Sequence, residues 1–266
     1  MSNPGTSSAD SGKVTMQIDG HVCTITMDNQ TKKNAFTPAM LDRLAELLTE
    51  YEENDDLWVC IYCSAGEHTT AGLDMPRFFG PTAEPDRRKP GLVDPFGLQR
   101  RCTKPVIAVV QGLTYTVGIE MALGHDIVIA ADTARFQQLE SRRGIAPLGG
   151  AHYRYLTRTG WGNAMYLLFT CEEFNAERAL QLGFVQEVHP FGRHMERARE
   201  LAATICECAP IGLRATKIAA LKFIEQGEQA AVACIPQIRE QVFASEDFKE
   251  GLRSFVERRK AQFTGR

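Results

Sequence analysis

Two runs of strict alternation, KVTMQID and HVCTITMD, open the patterned part of the chain and meet at Asp19-Gly20. A period of two marks half-buried strands, and Asp-Gly between such runs marks a tight hairpin. Thr37-Pro38 then starts a helix, a capping hydroxyl followed by proline in the first turn. Met40, Leu41, Leu44, Leu47, Leu48 and Tyr51 follow at helical spacing. Three short apolar runs, Trp58 to Ala65, Val106 to Val110 and Ile127 to Ala131, read as buried strands. Helical stretches between them predict parallel β-α units. Pro76 to Thr103, rich in Pro, Gly and Arg, reads as a lid or substrate loop. Beyond residue 150 helical periodicity takes over, near 162–171, 176–183, 193–208, 211–225, 228–244 and 246–262. The pattern predicts an α/β body followed by a helical C-terminal part, with residues 1–12 as a disordered polar tail.

The chain of 266 residues can bury a sizeable core, so disulfides are not needed for its stability. Thirty Lys and Arg against 33 Asp and Glu give a net charge of −3. That balance, with no basic stripe, argues against a nucleic-acid partner. Eight cysteines, no secretory h-region and no apolar run long enough to span a bilayer predict a cytoplasmic chain with reduced thiols. Cys60 and Cys63 form a lone C-x-x-C inside an apolar run with no second ligand pair, so they read as buried apolar side chains and no metal is expected.

Two segments carry candidate chemistry. Thr70-Ala71-Gly72-Leu73-Asp74 lies just beyond the Trp58–Ala65 strand. Gly112 to Glu120, GLTYTVGIE, lies just beyond the Val106–Val110 strand and leads into a helix. Ligands of α/β folds bind at such carboxyl ends, and two backbone N–H groups aimed at one oxygen would form an oxyanion hole. Read alone, both are equally ordinary strand-to-helix turns. Glu120 in the first helical turn suits the helix dipole. Glu140, after the Ile127–Ala131 strand, reads as a loop carboxylate near Arg142 and Arg143.

Seven pieces, weak singly, are specific in order and spacing: MDNQTKKNAF (27–36), TTAGLDM (69–75), KPVIAVVQG (104–112), GIEMALGHDIVIAAD (118–132), ARFQQLESRRGIAPLGG (134–150), ALQLGFVQEV (179–188) and EGLRSFVERRKAQF (250–263). Together they resemble the crotonase superfamily, the enoyl-CoA hydratase and isomerase family, from about Lys13 to Phe263. The resemblance implies a spiral of ββα units over 13–195 and a helical oligomerisation region over 196–266. It also implies assembly as a homotrimer or a pair of trimers.

It places the oxyanion-hole amides on Leu73 and Val117, with Gly72, Asp74 and Gly118 beside them, and the two water-handling carboxyls on Glu120 and Glu140. It places backbone contacts to coenzyme A near Ala35 and Ala71, and contacts to a neighbouring subunit's coenzyme A on Phe255 and Arg258. The implied reaction adds water to a 2-enoyl-CoA through a thioester enolate, with enoyl-CoA isomerisation as the nearest alternative. Coenzyme A is part of the substrate, and no separate cofactor is implied.

The chain departs from the family pattern at Thr116 and Val117, where glycines are usual, at Gln111 in place of Asn, and at Thr69 in place of an aromatic residue. GIAPLGGAH, ending at His152, also resembles a branch that hydrolyses β-diketones without coenzyme A, although Gly149 stands near the place of that branch's acid. An RNA-binding reading would need a basic helix, but the helix from Thr37 to Glu53 ends in acidic residues. A noncatalytic scaffold would not need both glutamates. Arg87, Arg88 and Lys89 are candidates for coenzyme A phosphates or a solvated charge run.

Overall fold

The computed structural model describes residues 12–81, 83–85 and 89–266. The expected tail up to residue 11 and the candidates Arg87 and Arg88 lie outside the described residues.

The hairpin forms as the alternation predicts: β1 (Lys13–Asp19) pairs antiparallel with β2 (Val22–Asp28). Asp19 sits opposite Val22, so the turn residues are Gly20-His21, one step later than expected. Gly20 supplies the positive φ of 56° that such a tight turn requires. The helix α1 (Pro38–Glu53) starts where its cap predicts, and the Thr37 hydroxyl accepts the Met40 N–H at 3.2 Å. Its apolar stripe, including Leu44, Leu48 and Tyr51, is fully buried against the sheet. Tyr51 Oη reaches the carbonyl oxygens of Trp58 at 3.1 Å and Pro105 at 2.6 Å.

Next come β3 (Val59–Ser64), a short α2 (Met75–Phe78), β4 (Val106–Val110), β5 (Leu113–Tyr115), α3 (Val117–Gly124), β6 (Ile127–Ala131), β7 (Arg135–Gln137), α4 (Ala151–Thr170), β8 (Phe174–Asn175), α5 (Ala176–Gln181) and β9 (Glu187–His189). Two sheets result, in the orders β1-β2-β3-β4-β6-β9 and β5-β7-β8. From β2 onward the larger sheet is parallel, as unbroken apolar runs require when both faces are covered. Residues three apart on a strand face opposite ways. Cys60 accordingly joins the core beneath α1, and Cys63 the core on the other face. Among the described residues no cluster of metal-ligating side chains occurs, and no helix is long and apolar enough to cross a membrane.

The second face is covered by α6 (Arg193–Cys206), whose Ala198 and Ala202 lie fully buried on the strands. The expected boundary between 195 and 196 therefore falls inside a helix that packs on the sheet. The remaining helices are α7 (Pro210–Gln226), α8 (Glu228–Ala233), α9 (Ile235–Ala244) and α10 (Glu246–Glu257).

The stretch expected at 162–171 forms its helix directly after Gly160, whose non-helical φ 77° and ψ 166° separate it from an earlier helical segment starting at Ala151 that the periodicity does not reveal, its buried face carrying Arg154 beside Tyr155. Two other helical expectations are corrected. The stretch 228–244 breaks at Cys234, where Pro236 cannot donate to the preceding turn. The last helix stops at Glu257, with Arg258 in the left-handed region at φ 55°.

Replacing Thr37 by Ala removes the cap of α1 and should cost about 1 kcal/mol. Thermal denaturation should then show a Tm lower by about 2–4 °C.

Candidate active site

The first loop is fixed by the strand beside it. Thr69 N donates to the Gln111 carbonyl at 2.7 Å, and Gln111 N donates to the Thr69 hydroxyl at 2.7 Å. One residue on, Thr70 N donates to Leu113 O at 2.8 Å and Tyr115 N to Thr70 O at 3.1 Å, a parallel bridge to β5. Gly72, at φ 118°, lies so close to the second loop that a Cβ would come within 2.8 Å of Thr116 Oγ1. A second bridge orients Leu73: Phe36 N donates to Gly72 O at 2.9 Å and Asp74 N to Phe36 O at 2.8 Å. Amides alternate sides along an extended chain, so the Leu73 N–H points away from Phe36.

Thr116 takes φ 51° and ψ −114°, a conformation that glycine adopts freely and a β-branched residue holds only under strain. It caps α3, its carbonyl receiving Ile119 N at 3.0 Å and Glu120 N at 3.2 Å. Val117 is the first helical residue, whose N–H has no partner within its own helix. Leu73 and Val117 both line one cavity of about 460 Å³. Neither amide has a protein acceptor among the described residues.

Glu120 and Glu140 line the same cavity and are nearly inaccessible. Glu120 Oε1 accepts the N–H groups of Gly149 at 2.8 Å and Ala151 at 3.1 Å. Burial raises its pKa, and those two donors together with the nearby Arg154 cation oppose the rise. Glu140 Oε1 accepts from the Gln138 amide at 2.9 Å, and Tyr155 in turn donates to Gln138 Oε1 at 3.2 Å. Glu140 Oε2 is buried without a protein partner among the described residues. Burial first, and then the charge of Glu120, push its pKa up to about 7. Two carboxyls share one void, Glu120 bound by two main-chain N–H donors that favour its charged form and Glu140 pushed by burial toward the neutral range.

The wall beside them is rigid. Arg154, buried, donates to the carbonyls of Glu120 (3.2 Å), Gly149 (3.0 Å), Phe96 (2.6 Å) and Gly97 (3.2 Å). It ties the Gly149 turn, α3 and the segment before β4 into one unit. Much of that segment is ordered by Asp94, whose carboxylate receives the N–H groups of Phe96, Leu98 and Gln99. The expected substrate loop thus contributes Phe96, Leu98 and Gln99 to the cavity.

Of the other residues singled out from sequence, Ala71 and Gly72 line the cavity, and Ala71 N is already used by Lys33 O at 2.9 Å. Gly118 is buried behind it, where a Cβ would meet Thr70 Cγ2 at 2.6 Å. Asp74 pairs with Lys32 at 3.1 Å, and the Ala35 carbonyl accepts from Asn29 Nδ2 at 2.7 Å. Phe255 on α10 and Arg258 at its C-terminal cap are exposed and do not line the cavity of their own chain.

Glu140, read from sequence alone as a loop carboxylate near Arg142 or Arg143, is instead buried and bonded to Gln138; Arg142 donates to Thr170 O. His152 is exposed, with Nδ1 against Pro147 O at 3.1 Å, and is absent from the cavity lining. Gly149 cannot stand in for an acid there, since even a Cβ would lie 2.5 Å from Glu120 Oε2. Phe96, Arg154, Leu148 and Ile145 were not foreseen as site residues. No periodicity marks them, because they converge only through tertiary packing.

Comparison with known proteins identifies the family. The family model described as enoyl-CoA hydratase/isomerase matches residues 17–266, and the chain belongs to that family. Its relatives include the enoyl-CoA hydratase EchA19 of Mycobacterium tuberculosis, 30% identical over 93% of this chain and 94% of that protein. The 2,3-dehydroadipyl-CoA hydratase of Escherichia coli is 30% identical over 92% and 96%. Among solved structures, one from Mycobacterium abscessus described as a probable enoyl-CoA hydratase/isomerase superposes with a TM-score of 0.89. It is 37% identical over 95% of this chain and 98% of that one.

A carboxyl whose folded pKa is raised from the ordinary 4.5 to about 7 destabilises the fold progressively as pH climbs through that window. Replacing Glu140 by Gln should leave Tm unchanged near pH 4. By pH 8 it should raise stability by about 1–2 kcal/mol after allowance for solvent screening. Calorimetry of both proteins across pH 4–8 checks this.

Proposed function

We propose that this protein is an enoyl-CoA hydratase, adding water across the 2,3 double bond of a 2-enoyl-CoA. The observation that carries the reading is the pair of buried carboxyls, Glu120 held by two main-chain donors and Glu140 with one oxygen unpartnered among the described residues, in the cavity lined by Leu73 and Val117.

In the proposed mechanism the thioester oxygen sits at the Leu73 and Val117 amides. Glu120, as carboxylate, takes a proton from water while the hydroxyl oxygen bonds to C3. Electron density moves through C2 to the thioester oxygen, where the two amides hold the enolate. Glu140 then gives its Oε2 proton to C2, and solvent exchange restores both carboxyls. Gln138 supports this role, since donating to Oε1 leaves the proton of Glu140 on Oε2. The scheme runs on main-chain donors and carboxyls, with coenzyme A entering as part of the substrate.

The same reading extends to assembly and location. The C-terminal helices leave Phe223, Ile224, Phe243, Phe255 and Val256 at least half exposed, which supports homotrimers or paired trimers. In such an assembly Phe255 and Arg258 would reach coenzyme A on a neighbour. Eight unpaired cysteines, five of them buried, fit a reducing cytoplasm.

Addition of water removes the conjugated enoyl chromophore, so ultraviolet absorbance should fall when the enzyme meets 2-enoyl-CoA esters. Loss of substrate without hydration, by migration of the double bond, would instead assign isomerisation. Glu120→Gln and Glu140→Gln should each lower kcat by about 100-fold or more, whereas wild-type rates in either would remove that residue from the mechanism.

The pH profile follows from the same assignments. Deprotonation of Glu140 should lower kcat/KM above pH about 7, and protonation of Glu120 should lower it in acid. A profile still rising through pH 8 would contradict the roles assigned.

A further inference from the structure

We propose that the site is built for 2-enoyl-CoA esters whose β-substituent is large and apolar, a chain or ring system of about seven carbons or more. The chemistry rests on the hydratase reading above; the size and character of the substituent rest on the cavity itself.

The reacting atoms fix where the substituent must go. With the thioester oxygen at the two amides and C2 and C3 at the carboxyls, everything attached to C3 runs on past Glu120. Phe96 is close by: a Cβ on Gly149 would lie 2.5 Å from Glu120 Oε2 and 2.6 Å from Phe96 Cδ1, so both side chains border the Gly149 hydrogen. The same cavity is lined by Leu98, Leu148 and Ile145, by Met75 on α2 and by Phe79 just after it.

These side chains are not covered by the protein. Leu148 is 77% exposed, Phe79 56%, Leu98 44%, Ile145 42% and Met75 40%. Exposed apolar residues scattered singly are ordinary, but five lining one void form a patch of the kind that marks a ligand groove. At about 460 Å³ the void lies in the range that encloses a drug-sized ligand, roughly 300–1,000 Å³. A four-carbon acyl group would leave most of these walls wet.

The groove is also preformed on one side. Arg154 clamps the Phe96 and Gly97 carbonyls, and Asp94 fixes the Phe96, Leu98 and Gln99 amides. Little ordering is left for the ligand to impose, so buried apolar area translates more fully into affinity. Arg143, which also lines the cavity, offers the competing chemistry of a terminal carboxylate on the acyl chain.

Binding of saturated esters tests this without turnover. Butyryl-CoA, decanoyl-CoA and adipyl-CoA are titrated calorimetrically into the whole protein. Each buried methylene tightens Kd about fourfold, so decanoyl-CoA should bind at least tenfold more tightly than butyryl-CoA. Leu148→Asp, at an exposed position where folding is not at risk, should shrink that ratio to about threefold or less. A decanoyl to butyryl preference below tenfold, an unchanged ratio in the variant, or adipyl-CoA binding more tightly than decanoyl-CoA would each overturn the proposal.

Hydration of 2-decenoyl-CoA and crotonyl-CoA is measured in parallel. Tight decanoyl-CoA binding with no hydration of either ester would sustain the groove and remove the hydratase reading. Hydration with no chain-length preference in binding would do the reverse.

Discussion

The hydrogen-bonded bridge between Thr70 and β5 is the contact on which the rest of the site depends. It holds two loops from different β-α units in register, with Gly72 seated against Thr116. Leu73 follows three residues after Thr70 on one side, and Val117 two residues after Tyr115 on the other. Their free amides need no side chain to reach the cavity, only the backbone geometry that the bridge imposes. Thr116 illustrates how firmly it is imposed, because a β-branched residue is kept at φ 51° where glycine would rest without strain.

The carboxyls illustrate the opposite economy. Glu120 is stabilised by two main-chain donors, whereas Glu140 has one amide donor and an oxygen left bare in a largely apolar space. A fold selected only for stability would not retain that second group, since a buried polar atom without a partner is costly. Its retention fits a group whose proton is meant to leave. Arg154 contributes by donating to four main-chain carbonyls: it braces the wall while its charge opposes the rise in the pKa of Glu120.

Much of the body was legible in the residues. The alternating hairpin, the Thr37 cap and the apolar runs of β3, β4 and β6 each carry a local signal strong enough to survive folding. The strands β7, β8 and β9 carry none, being only two or three residues long and formed by pairing with distant partners. The same division holds at the site. Glu120 and Glu140 could be singled out only through the resemblance, since a glutamate in a first helical turn or a loop is unremarkable by itself. Phe96, Leu148 and Arg154 were invisible because their proximity arises from the packing of separate segments.

Gly149 has a further consequence for how this scaffold can change. Its hydrogen faces both the Glu120 carboxyl and the Phe96 ring. Any larger residue must shift the Glu120 carboxyl and the Phe96 ring, so variation at this position is coupled directly to the placement of the proposed base. The exposed apolar rim carries no such constraint.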